Sequence, residues 1–186
     1  MIWVENKRKR IDSIQKAHPG AYVLDITSSS PYRYGVILSP FFPHGGIPVP
    51  GDSHGMTAMS VESVWQGLKV FEHADVDVSL FENTTMKGLK RTVRRFGPPI
   101  GHRFGVYSDR ILNYQEAKSL IYIPTYKYVL ENVPEVNHII ARIKEQAQKT
   151  DIILLDYNIN PGNLQVEKPL SHAELVKSYI EDCYPL

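Results

Sequence analysis

The stretch "SVESVWQGLKVF", residues 60 to 71, places a carboxylate, an amide and an amine inside an otherwise apolar run. At about 100° per residue, Val61, Val64, Trp65, Leu68 and Phe71 fall on one side of a helix. Glu62, Gln66, Lys69 and His73 then make a narrow polar stripe beside them. Glu62 and Lys69 are two turns apart, about 10.5 Å of rise, and point within roughly 20° of each other. That is too far for an i,i+4 ion pair, but two long side chains with Gln66 between them can converge on a ligand lying along the helix. A carboxylate so placed can act as acid, base or charge stabiliser. An amine with a depressed pKa can act as a nucleophile, and as an ammonium it binds anions. The competing reading is a solvated helix face. Other short signatures are missing: there is no Walker loop, no GxGxxG opening a helix, no GxSxG and no HExxH. The seven histidines lack the short spacing of a zinc site, so neither metal nor cofactor is expected.

The bulk composition fits one ordinary globular domain spanning residues 1–186, with 42% hydrophobic and 22% charged residues. Twenty-one basic and twenty acidic side chains leave a net charge of +1, which argues against a scaffold dedicated to neutralising phosphate backbones. The single cysteine, Cys183, fits a reducing compartment. No stretch approaches the roughly 20 apolar residues of a spanning helix, and the start, "MIWVENKRKRIDSIQK", has no apolar core of signal-peptide length. A cytoplasmic protein without membrane contact is the expectation, with "KRKR" at 7 to 10 on the solvated face of a short helix.

The elements that must position the stripe are mostly helical. "AYVLDIT" (21–27) and "YGVIL" (34–38) predict two short strands, followed by a proline- and glycine-rich loop from Pro40 to Gly55. A helix capped by Ser60 runs to about His73. A basic helix around Leu89, Val93 and Phe96 stops at Gly97-Pro98-Pro99, and further helices cover 113–122, 124–133 and 134–149. "DIILLDYNINPG" reads as either a buried strand or a helical layer, and Ser171 opens a terminal helix. The predicted fold class is therefore mainly α, with a minor β element near the N-terminus.

Four blocks, in order, resemble the NADAR (YbiA-like) proteins. "ESVWQGLKVF" resembles their E-H-Y-F-Q-A-x-K-F block, and "LSPFFP" with "GGIPVPG" resembles the S-N-F-Y-P segment and the turn after it. "KGLKRTVRRFGPPIGHR" sits where the family has a helix ending in G-R and then an arginine, and "LLDYN" where it has an aspartate followed by W-G. The resemblance spans roughly residues 34 to 180. It implies a single-domain, mostly helical N-glycosidase that breaks ribose C–N bonds in ribosylamino intermediates or in ADP-ribosylated guanine of nucleic acid. Glu62, Gln66 and Lys69 match the family's glutamate, glutamine and lysine, and Asp156 its late aspartate. Ser39 and Phe42 match its pocket loop. Pro40, Ser63 and Tyr157-Asn158 depart from the pattern at positions that shape the pocket, which bears on substrate identity more than on reaction type.

Under that resemblance Glu62, Lys69 and Asp156 are the candidate catalytic residues. Ser39, Phe42, Trp65, Gln66, His102 and Arg103 are the candidate substrate contacts, with an ADP-ribose-like nucleotide, free or on nucleic acid, as partner. Trp65 and Phe42 suit stacking on a base, and Arg103, on a glycine-flanked loop, suits a phosphate. Lys87, Lys90 and Arg91 read as a solvated face. A non-catalytic nucleotide-binding module and a structural protein are the readings from other classes.

Overall fold

The computed structural model describes residues 1–160 and 169–185. In chain order the elements are β1 (Ile2–Asn6), α1 (Ile11–Ala17), β2 (Tyr22–Asp25), α2 (Arg33–Ile37), β3 (Ile47–Pro48), β4 (Thr57–Ala58), α3 (Val61–Gly67) and β5 (Lys69–Phe71). A 3₁₀ turn, Val78–Glu82, leads to α4 (Val93–Phe96), β6 (Pro99–Arg103), β7 (Ile111–Leu112) and α5 (Tyr114–Ala117). A π-helical segment, Lys118–Tyr122, precedes α6 (Ile123–Asn132), α7 (Pro134–Ala147), β8 (Ile152–Asp156) and α8 (His172–Ile180). With 40% helix, 16% strand and three small sheets among the described residues, the class is α+β, which corrects the mainly α expectation. Strands recur along the whole chain, and most are too short to leave an alternating pattern. Among the described residues no helix is long and apolar enough to cross a membrane.

The chain forms two compact units. The first comprises Met1–Ser39 and Leu130–Pro185 and is built on a parallel sheet of order β1-β8-β2. Every residue of β8 is buried, because a parallel strand flanked on both sides and covered on both faces reads as an unbroken apolar run. This resolves "IILLD" as strand; the Pro161-Gly162 end of that run lies outside the described residues. Ile14 of α1 packs with Ile153 and Leu155, while Val136, Ile139, Ile140 and Ile143 form the buried stripe of α7. Ser171 caps α8 by accepting a hydrogen bond from the Glu174 amide at 3.2 Å. "YGVIL" is helical, as most of α2, rather than a strand. "KRKR" sits in the connection from β1 to α1, with the Lys7 ammonium anchored to Asp25 at 2.5 Å and to Thr27 at 2.9 Å.

The second unit, Pro40–Val129, carries the hairpin β3–β4 and the antiparallel sheet β5-β6-β7, in which Lys69 pairs with His102 and His102 with Leu112. A capping box starts α3: Ser60 Oγ accepts from the Ser63 amide at 3.1 Å and Ser63 Oγ from the Ser60 amide at 3.0 Å. All seven α3 residues are buried. The helix ends at Gly67, where a Cβ would lie 2.4 Å from the Phe81 ring, and the chain turns directly into β5. The predicted continuation to His73 is thus corrected. The predicted basic helix shrinks to α4, because Met86 and Gly88 take left-handed φ values of 60° and 72°.

Gly101 lies in β6 beside His102, and a Cβ there would meet the Leu112 carbonyl oxygen at 2.3 Å. Since backbone cannot yield as a side chain can, Gly101→Ala is expected to destabilise the protein by about 1–3 kcal/mol. Chemical denaturation would check it.

Candidate functional site

Glu62 faces a buried setting on the first turn of α3, with 8% of its surface exposed. One turn on, the Gln66 amide nitrogen donates to Glu62 Oε1 at 2.7 Å, and Gln66 Oε1 accepts from the Arg91 amide at 3.0 Å. The glutamine therefore holds the carboxyl in one orientation, while Oε2 has no hydrogen-bond partner among the described residues. Burial raises the Glu62 pKa above the ordinary carboxylate value, against the Gln66 hydrogen bond and the charges of Lys69 and Lys90.

Lys69 lies on β5 rather than on the helix. The two-turn geometry of a shared helix therefore does not hold, but the two charges act on each other. Burial lowers the Lys69 pKa; Glu62 opposes that shift, and Arg91 and Lys90 reinforce it. Among the described residues its ammonium has neither an ion pair nor a hydrogen bond. Arg91 fixes the strand beneath it, donating through Nη1 to the Lys69 carbonyl at 2.6 Å and through Nη2 to the Asp75 carbonyl at 2.7 Å. Its guanidinium lies 4.7 Å and 4.9 Å from the Phe71 and Phe96 ring centres. Arg91 is buried, not part of a solvated face, and nothing in its spacing distinguishes it from its charged neighbours. His73, the last member of the stripe, is exposed at 86% of its side chain.

His102 faces Lys69 across the β5–β6 ladder. It is 2% exposed, and neither ring nitrogen has a hydrogen-bond partner among the described residues. Burial, then the Lys69 charge, push its pKa down to about 3, so the ring is neutral in any ordinary buffer. Its ring centre lies 3.9 Å from that of Trp65, and Tyr114 and Tyr122 meet Trp65 edge-on at 5.9 and 5.6 Å. This indole is a packed wall, 9% exposed, rather than an open platform for a base. The Tyr114 pKa is raised by burial and by the nearby Glu62 charge, which places this phenol, missed in the sequence, within electrostatic reach of the carboxyl. Because native His102 stays neutral while the unfolded side chain titrates near 6.5, stability should fall as pH drops from about 6.5 toward 3. The native imidazole proton shifts should stay flat between pH 8 and 5 by NMR.

Arg103 donates through Nη2 and Nε to both Asp75 oxygens, the closest at 2.7 Å, and through Nη1 to the Ser108 carbonyl at 2.6 Å. The hydrogen bond from Arg103 holds the Asp75 carboxyl below its usual pKa, although burial opposes this. Phe42 lies in the loop after the unit boundary, its ring 4.9 Å from His44, and buried Ser39 closes the first segment of the other unit.

Asp156 also belongs to the first unit. It ends β8, where Oδ2 lies 3.0 Å from His172 Nδ1 and accepts from Ser171 Oγ at 2.8 Å, and Oδ1 accepts from the Tyr157 amide at 2.6 Å. His172 Nε2 is 2.8 Å from the Ile26 carbonyl oxygen. Both carboxylate oxygens are thus engaged, and Oδ2 ties β8 to the start of α8. Among the described residues no group of three or more His, Cys, Asp or Glu side chains is arranged to hold a metal ion.

These features define an α+β protein with an oriented, buried acid in the field of an amine that has no ion pair among the described residues. The chain belongs to the Family of unknown function (DUF6939), whose profile matches residues 6–176. Comparison with curated proteins finds no match.

Proposed function

We propose that this protein is an N-glycosidase of NADAR type that hydrolyses a ribose C–N bond in an ADP-ribose-like or ribosyl-nucleobase substrate. The observation that carries the reading is the buried Glu62 carboxyl, fixed through one oxygen by Gln66 and with no hydrogen bond to the other among the described residues, its pKa raised by burial in the field of Lys69. A carboxyl raised in this way carries a proton closer to neutral pH than an exposed one does, which suits a general acid. As the C1–N bond breaks, its electron pair leaves with the nitrogen, which takes the Glu62 proton. Water then adds to the oxocarbenium carbon and returns a proton to Glu62, leaving free ribosyl hydroxyl and base. Lys69 offers a covalent variant: its neutral amine attacks C1 as the nitrogen base leaves with the Glu62 proton, and the new ammonium returns a proton to Glu62. The C1–O4′ bond then opens, the amine proton passing to O4′, and water hydrolyses the resulting imine to free Lys69 and the sugar aldehyde.

The local charge supports a phosphorylated substrate. Lys69, Lys90 and Arg91 all act on this region, and neither lysine has an ion pair among the described residues. The same two cations would serve a non-catalytic nucleotide-binding module equally well, and that is the second reading. Asp156 enters as a support of the first unit. Arg103 and Trp65 enter as supports of the second, with Gln66 orienting the acid.

Mass spectrometry of products after incubation with ADP-ribosylated guanine DNA, ADP-ribose, NAD and a ribosylamino pyrimidine phosphate tests the proposal. Release of base or amine supports it. Bound but intact nucleotide would favour the binding module, and neither binding nor release would sink both.

A further inference from the structure

The first unit contains a cavity of about 270 Å³ that the Glu62 chemistry does not use. Two elements, β2 and α7, supply most of its lining, with Tyr34 of α2 and Ile152 of β8 completing it. Tyr22 and Leu24 alternate onto one face of β2, and α7 lays the stripe Ile139, Arg142, Ile143, Gln146 over that face, with i, i+3, i+4, i+7 spacing. Buried Leu24, Ile139, Ile143 and Ile152 make an apolar floor. Tyr22, Tyr34, Arg142 and Gln146 make a polar rim.

Three properties of the rim decide what would fit. No carboxylate lines the cavity, while Arg142 brings a guanidinium with no hydrogen bond or ion pair among the described residues. The two phenols face each other with their oxygens 3.5 Å apart, and Tyr32 stacks on Tyr34 with ring centres 5.3 Å apart and planes 13° from parallel, so the aromatic edge is held in place. The Tyr22 hydrogen bond, then burial, push the Tyr34 pKa up to about 12, so this hydroxyl remains protonated at neutral pH. An apolar cavity of about 150 Å³ suffices for benzene, which leaves room here for a ring with a substituent.

We infer that this cavity is a second ligand site, for a single aromatic ring bearing an anionic group: the ring on the isoleucine and leucine floor, the anion on Arg142 with Gln146 beside it. The shared chemistry is an aryl anion, and its two sources are aromatic carboxylates and aryl phosphates. The inference is independent of the Glu62 chemistry, since all the lining residues belong to the first unit.

Titration of the full-length protein with benzoate and with phenyl phosphate, followed by amide chemical shifts, tests it. Phenol and inorganic phosphate serve as the two half-ligands. Saturable shifts at Leu24, Tyr34 and Ile143 with either whole ligand, and weaker ones with both halves, are expected; the stronger of the two whole ligands identifies the source. Arg142→Gln, on an exposed helix position, should weaken binding by about tenfold or more with an unchanged spectrum of the free protein. Ile143→Phe should fill the floor and block the ring, and its melting temperature reports whether the unit still folds. Absence of saturable shifts, shifts unaltered by Arg142→Gln, or equal binding of phenol alone would each overturn the assignment.

Discussion

Glu62→Gln is expected to lower kcat by about 10²–10⁴-fold, the range associated with loss of a positioned proton donor, while the fold persists. The substitution keeps the side-chain shape and leaves an amide oxygen to accept the Gln66 hydrogen bond, so α3 and its capping box are undisturbed. It removes only the titrating proton. The linkage sign makes the variant informative beyond activity. The folded pKa of Glu62 is raised above the unfolded value of about 4.3, so the native state binds the proton more tightly, and the wild-type protein loses stability as pH rises from the unfolded value through the folded one. Glu62→Gln lacks that loss and should gain melting temperature relative to wild type above that window. Reduced turnover with an equal or higher melting temperature would assign Glu62 to the chemistry. A fall in both would make it a structural residue, and unchanged turnover would remove it from the mechanism.

Asp156→Ala carries the largest stability effect we expect, about 3–5 kcal/mol, because it strands a buried imidazolium. Asp156 is 4% and His172 7% exposed, and both His172 ring nitrogens face acceptors, Asp156 Oδ2 and the Ile26 carbonyl. Burial works against both charges. Even so, the His172 charge and the hydrogen bonds from His172, Ser171 and the Ala173 amide leave the Asp156 pKa below its ordinary value. Asp156 and the Ile26 carbonyl correspondingly leave that of His172 above its own, against burial. The aspartate's contribution is present above its unfolded pKa of about 3.9 and is lost as pH falls through the lower folded value. The histidine's contribution is full below about 6.5 and is lost as pH rises through the higher folded value. The pair should therefore stabilise most between about pH 4 and 6.5. Urea denaturation across pH, compared with Asp156→Asn, checks it: the variant should lose the excess stability in that window, and identical profiles would refute the pairing.

What the sequence conveys about this fold depends on how far each signal reaches. Ser60 as a cap, the apolar stripe of α7 and the start of α8 at Ser171 are local signals, and the structure agrees with each. The end of α3 is different. Val61, Val64, Trp65, Leu68 and Phe71 keep a helical period past Gly67, yet the chain turns into β5 because Gly67 packs under Phe81 and Lys69 finds its partner, His102, thirty-three residues later. A strand of three residues offers no period to read. Glu62, Gln66 and Lys69 were thus legible as a group through their types, although the backbone that assembles them was not. The site's supports are less visible still. Arg91 looks like any surface arginine until Met86 and Gly88 break the helix that would have exposed it, and Asp75 has no motif at all.

The parallel sheet of the first unit has a bearing on how the protein is made. Strand β8 lies between β1 and β2, so Val4 and Leu24 both sit in register with Leu154 and neither outer strand has a lateral partner until β8 arrives. On a ribosome adding about 5–20 residues per second, β1 waits roughly 7–30 s for that partner while the entire second unit is synthesised between the two. During this interval Ile2, Val4, Val23 and Leu24 are exposed strand segments of the kind that pair with neighbouring nascent chains. The longer the interval between the first strand and the last, the longer those edges stay open to such pairing, so slowing translation within residues 40–129 is expected to cost more folded protein than slowing it after β8 has emerged.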